Sequence, residues 1–146
     1  MVLMKRMVNN GGGADSDKKY YNVTKNYEKE LEKILDKHEL MNPIPNIKKY
    51  EIIKGDATIE LEKYLDKHPE TIISMAWFDM DLYKPTKECL EKIKPHLTKG
   101  SILYFDELNL EAFPGETVAL KEVFGLKNIK IKRTPFSIME AYVEIE

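Results

Sequence analysis

Carboxylates stand where apolar runs of this chain stop. Ile72-Ile73-Ser74-Met75-Ala76-Trp77-Phe78 leads directly into Asp79-Met80-Asp81, and Ser101-Ile102-Leu103-Tyr104-Phe105 into Asp106-Glu107. A shorter run, Ile52-Ile53, is followed by Gly55-Asp56-Ala57. Acids at the end of a buried strand are costly to desolvate unless a metal, a base partner or water meets them. Hard divalent cations such as Mg²⁺ take several oxygen ligands, and carboxylates on neighbouring strands supply them. A dication also offsets the mutual repulsion of Asp79, Asp106 and Glu107. The plainer reading is that each acid only caps a helix or a turn and faces water.

The elements that must position these acids follow from periodicity. Tyr27, Leu31, Ile34, Leu35 and His38 recur at helical spacing over Tyr27–Leu40, with Asn22 or Thr24 as candidate caps. Lys49–Ile53 reads as a short strand and Ile59–Lys67 as a helix closed by Pro69. Thr71–Phe78 is an apolar strand, and Thr86–Ile93 a helix with Pro85 in its first turn. Ser101–Phe105 is a second apolar strand, Thr117–Phe124 a helix ended by Gly125. Asn128–Arg133 and Ile138–Glu144 form a closing hairpin. Strands alternating with helices mean βαβ units and a mainly parallel sheet, here with an antiparallel edge. In such a sheet the strand-ending acids fall on one edge, where ligands bind. Met1–Val8 is a short strand or a frayed end. Gly11-Gly12-Gly13 sits in a loop whose spacing matches neither phosphate-binding glycine motif.

Composition narrows the function classes. The chain has 146 residues, enough for one domain with a real core. A net charge of −2, with Lys and Glu mixed along the chain, gives no electrostatic case for nucleic acid or an anionic membrane. No apolar run is long enough to span a bilayer, and Met1–Val8, broken by Lys5-Arg6, is too short for a signal peptide. Cys89 is the single cysteine, which rules out an internal disulfide and a cysteine-rich metal site and fits a reducing cytoplasm. His68 and His96 stand where helices end, and Trp77 and Phe78 read as core residues.

Three chemistries use an aspartate pair of this kind. Asp79-Met80-Asp81 resembles the first motif of haloacid-dehalogenase-type phosphatases, in which Asp79 is the nucleophile, but the Gly and Thr that should follow are replaced by Leu82-Tyr83. It also resembles the metal-holding D-x-D of nucleotide-sugar glycosyltransferases, which leaves Gly55-Asp56-Ala57 and Phe105-Asp106-Glu107 unexplained. A third resemblance covers more of the chain. Gly55-Asp56-Ala57, then F-D-M-D-L-Y-K-P-T at Phe78–Thr86, P-H-L-T-K-G-S-I-L-Y-F-D-E-L at Pro95–Leu108 and F-P-G-E-T at Phe113–Thr117 run in order. This series resembles the class I S-adenosylmethionine-dependent O-methyltransferases, and within them the macrocin-type branch that methylates sugars of glycosylated natural products.

The resemblance implies an α/β, Rossmann-like three-layer sandwich with a C-terminal antiparallel hairpin. It implies one domain, with residues 1–46 a flexible loop and lid-like helical segment and residues 47–146 the C-terminal part of the methyltransferase fold. It implies Asp79, Asp106 and Glu107 as ligands of Mg²⁺ or another divalent cation; Glu107 departs from the Asp usual there. Asp56 is then the acceptor for the adenine amino group of S-adenosylmethionine, with the Ala57 amide beside it. Asp81 and Tyr83 stand at the substrate rim, and His38 is the candidate general base. The substrate is a sugar hydroxyl of a nucleotide sugar or glycosylated natural product.

The family's first strand, its E-x-G-x-x-x-G turn and the following acid-ended strand have no match here, so the fold reads as N-terminally truncated. The expectation is that Lys49–Ile53 lacks its neighbour and Thr71–Phe78 exposes an apolar edge, which a second copy, a re-paired strand or another chain must cover. The alternative to an enzyme is a non-catalytic methyltransferase-like fragment.

Overall fold

The computed structural model describes residues 2–6 and 26–146, the first of these stretches as backbone only. The Gly11–Gly13 loop and the candidate caps Asn22 and Thr24 lie outside the described residues. Two compact units emerge, Met1–Glu60 and Leu61–Glu146.

In the first unit, β1 (Val2–Arg6) pairs in parallel with β2 (Glu51–Gly55), Val2 opposite Glu51 and Arg6 opposite Gly55. The Lys49–Ile53 stretch, expected to lack its neighbour, is thus paired by the chain's own first residues. Of the two readings of Met1–Val8, a short strand or a frayed end, the pairing with β2 selects the strand. Helix α1 (Tyr27–Leu40) keeps its predicted bounds. It buries no residue among those described, and Ile34 and Leu40 stay exposed. Its link to β2 is polar: the hydroxyl of buried Tyr50 donates to Asp36 Oδ1 at 2.5 Å, and Lys49 Nζ bonds Glu39 at 2.6 Å. Helix α2 (Ala57–Lys67) begins here and ends in the second unit.

The second unit is built on a four-stranded sheet of β3 (Ile73–Phe78), β4 (Leu97–Phe105), β5 (Ile131–Arg133) and β6 (Ala141–Glu144). The order is β3-β4-β6-β5, with β3 parallel to β4 and the last two strands antiparallel. The final strand is thus interior, and β5 takes the edge. Side chains alternate across the pleat. Phe78, Leu103, Phe105, Ala141 and Val143 form one buried face. Cys89, Leu90 and Ile93 of α3 (Tyr83–Ile93) and Ala119 and Leu120 of α4 (Gly115–Phe124) complete that core. Full burial of side chains such as Leu90, Leu103 and Phe105 contributes about 1.5–3 kcal/mol each.

The opposite face carries Met75, Trp77 and Tyr104. Trp77 stacks on Tyr104 at 4.3 Å yet remains 59% exposed, so it is a surface residue of this unit rather than the core residue its apolar run suggests. Among the described residues, β3 pairs with β4 alone. His68 lies against the Tyr64 ring and pairs with Glu70, and His96 Nδ1 lies 3.0 Å from the carbonyl of Thr71, so both histidines serve local structure. Among the described residues, no helix is long and apolar enough to cross a membrane.

Candidate functional site

Register builds the site. Phe78 ends β3 directly opposite Phe105, which ends β4, and the two rings stack at 5.1 Å. The next residue of each strand is therefore an aspartate beside an aspartate. Asp106 N donates to the carbonyl of Phe78 at 3.4 Å, carrying the pairing one step past the strands. Parallel neighbours lie about 4.8 Å apart, so Asp79 and Asp106 are held at ligand-sharing distance.

Asp81 joins them through a tight turn. It has a φ of 54°, and Leu82 N donates to the carbonyl of Met80 at 2.5 Å across it. Aspartate is among the few residues that tolerate this left-handed backbone. Oxygens of Asp79, Asp81 and Asp106 come within 4.8 Å of one another. Glu107 stands next to this group and interacts with Asp81. Oδ1 of Asp106 and Oε2 of Glu107 are buried without a hydrogen-bond partner.

The electrostatics follow from that crowding. Burial, then the charge of Asp79, pushes Asp106 up to about 6. Burial, then Asp81 and Asp106, pushes Glu107 up to about 7. The third group is Glu116, in the first turn of α4, fully buried and pushed up to about 8 by burial and by Asp106. Its carboxylate accepts from Met80 N and from Glu107 N, each at 3.4 Å. The F-P-G-E-T series contained Glu116, but nothing in its local pattern distinguishes it from an ordinary first-turn acid. The signal is the glycine before it: a β-carbon on Gly115 would fall 2.5 Å from Tyr83 N and 2.8 Å from the carbonyl carbon of Leu82.

The donor set fits a hard divalent cation. It is all oxygen, it is anionic, and two of its buried oxygens have no other partner. Ions with metal–oxygen distances of about 2.0–2.6 Å bring ligand oxygens to separations of this order.

The other predicted residues are placed differently. Tyr83 Oη donates to Glu122 at 2.6 Å, and Lys87 Nζ reaches both the same carboxylate at 2.7 Å and the Tyr83 hydroxyl at 3.2 Å. The Tyr83 hydroxyl is thereby engaged in a bridge between α3 and α4. In the first unit, Asp56 Oδ1 accepts from Thr58 N at 2.9 Å and Thr58 Oγ1 at 2.7 Å, a helix cap on α2. Ala57 is buried directly after it. His38 is exposed on the last turn of α1, where its carbonyl accepts from Met41 N and Asn42 Nδ2.

Comparison with solved structures relates the chain to known enzymes. The chain is similar to CalS11, a TDP-rhamnose 3'-O-methyltransferase of calicheamicin biosynthesis. One structure of that enzyme gives 38% identity and a TM-score of 0.77, covering 82% of this chain and 52% of that chain. A second gives 36% identity and a TM-score of 0.83, covering 91% and 52%. The O-methyltransferase NovP shares the fold at 17% identity and a TM-score of 0.61, covering 81% and 44%. No family model matches the chain, and no curated protein matches it. The chain thus spans about half the length of the solved chains it resembles. Over that half it has the methyltransferase type of Rossmann-like fold, which bears out the resemblance to the sugar O-methyltransferases of class I.

Proposed function

We propose that this chain belongs to a divalent-metal-dependent O-methyltransferase that uses S-adenosylmethionine to methylate a sugar hydroxyl of a nucleotide sugar or glycosylated natural product. The observation that carries the reading is the set of carboxylate oxygens from Asp79, Asp81 and Asp106 within 4.8 Å at the ends of two paired parallel strands. Similarity to a sugar 3'-O-methyltransferase at 38% identity supports the same chemistry.

In this reading Asp79, Asp106 and Glu107 hold the cation, and the turn at Asp81 brings a further oxygen to the set. A cation held there would supply Lewis acidity toward a sugar hydroxyl, and S-adenosylmethionine would supply a methyl group on an already activated sulfur. Asp56 accepts from the adenine amino group beside the Ala57 amide. His38 takes the hydroxyl proton as general base. Tyr83, held by Glu122 and Lys87, borders the sugar. The partner is a small sugar-containing molecule in the cytoplasm, and the side of β3 that has no strand beside it among the described residues takes one from a second copy or another chain.

A non-catalytic methyltransferase-like fragment is the second reading, favoured by Asp56, whose carboxylate already caps α2. Calorimetry with S-adenosylhomocysteine separates the two: micromolar binding supports the enzyme, and no binding at millimolar ligand overturns it. Methyl transfer to TDP-rhamnose in the presence of Mg²⁺, lost in Asp79→Asn, is the corresponding activity assay. Aryl phosphatase activity lost in the same variant would instead point to the dehalogenase-type chemistry.

A further inference from the structure

We infer that Glu116, seated by Gly115, is the positioning residue of the carboxylate site, tying the turn after β3 to the turn after β4 so that their acids stay at ligand-sharing distance. This rests on the cation reading above and adds the group that fixes its geometry. Acids are almost never fully buried without a partner, and Glu116 is 0% exposed. Its two oxygens divide between the two turns. Oε1 accepts from the amide of Met80, which lies between Asp79 and Asp81, and Oε2 from the amide of Glu107, which follows Asp106.

The rest of the α4 start reinforces the tie. Gly115 lies against the backbone of Asp81, Leu82 and Tyr83 so closely that no other residue fits without moving the turn. On the opposite side, Thr117 Oγ1 accepts from Asn109 N at 2.7 Å. Gly115, Glu116 and Thr117 therefore anchor both acid-bearing loops from one helical turn. Carboxylates brought this close repel one another and would spread apart if the loops were free. A buried tether that fixes their separation lets a cation collect its ligands without reorganising them, and such outer groups typically govern metal affinity by ten- to a hundredfold.

The test uses the full chain and two readouts. Mn²⁺ binding is followed by electron paramagnetic resonance in the wild type, Glu116→Gln, Gly115→Ala and Glu91→Gln, the last an exposed site with the same charge change as Glu116→Gln. Glu116→Gln keeps one acceptor and turns the other into a donor facing an N–H. The expected result is Mn²⁺ affinity weakened about tenfold or more in Glu116→Gln and Gly115→Ala, and unchanged in Glu91→Gln. Without added cation, amide hydrogen exchange of the wild type should show Met80 and Glu107 protected, and Glu116→Gln should speed exchange of at least one of them. Equal Mn²⁺ affinity in folded Glu116→Gln overturns the inference, as do unprotected Met80 and Glu107 amides in the wild type. A wild type that binds no Mn²⁺ overturns the cation reading instead, and the tie is then judged on amide exchange alone.

Discussion

Asp56 and Asp106 each follow directly on the last residue of a β-strand, yet their surroundings differ in kind. The carboxylate of Asp56 meets the backbone and hydroxyl of Thr58 and closes the first turn of its own helix. That of Asp106 is half-buried beside Asp79, with one oxygen lacking any partner and its pKa pushed up to about 6. The first acid is satisfied by residues two positions away. The second is surrounded by acids from other elements, which local structure cannot satisfy. A strand-ending acid therefore becomes a candidate ligand when its register neighbour is also an acid, and remains a cap when the chain itself answers it.

Several substitutions break or sharpen this contrast. The largest effect falls on the platform beneath Asp79 and Asp106. Phe105→Ala removes a fully buried ring stacked on Phe78, and urea denaturation should show a loss of about 3–5 kcal/mol. Next in size, Asp106→Asn should weaken Mn²⁺ binding by about a hundredfold while leaving the cation-free protein at least as thermostable, because the repulsion from Asp79 that it relieves outweighs its contact with Glu116. Isothermal titration and a thermal melt of the same sample check both halves. A large fall in cation-free melting temperature would mean that Asp106 is a structural acceptor like Asp56.

The pH dependence is the third test. Asp106, Glu107 and Glu116 all titrate higher in the folded protein than in the unfolded chain, where carboxyls ionise near 4. Between these limits the folded state holds more protons, so the stability these three groups contribute is full below about pH 4 and is lost as pH rises from there through about 6 to 8. Cation-free protein should therefore melt several degrees lower at pH 8 than at pH 5.5, and Mg²⁺ should restore the loss at pH 8. A melting temperature that rises over this range without cation would contradict the crowding of these acids. The smallest effect belongs to the other side of the comparison. Asp56→Ala should cost about 0.5–2 kcal/mol as a lost helix cap and Asp56→Asn much less, with no change in Mn²⁺ affinity for either.

Much of the architecture was legible because it is local. The helical spacing of Tyr27, Leu31, Ile34 and Leu35 marks α1 to the residue, and the apolar runs ending at Phe78 and Phe105 mark β3 and β4 to within a few positions. The acids that end them were equally visible. An apolar run does not say which face of the strand a neighbour covers; here Phe78 is buried and Trp77 is exposed. For Met1–Val8 the sequence leaves a short strand and a frayed end equally open, and the parallel pairing of Val2–Arg6 with β2 decides for the strand.

What the amino-acid order determined by itself was the placing of strands, helices and strand-ending acids, since each depends on residues within a turn or two of one another. Tertiary structure alone decided which acids meet. The register of Phe78 against Phe105 brings Asp79 to Asp106, the left-handed turn at Asp81 adds a third carboxylate, and the start of α4 delivers Glu116 beneath them. It likewise decided that β6 enters the sheet next to β4 and leaves β5 outside. These outcomes depend on contacts between residues far apart in the chain, and periodicity carries no record of them.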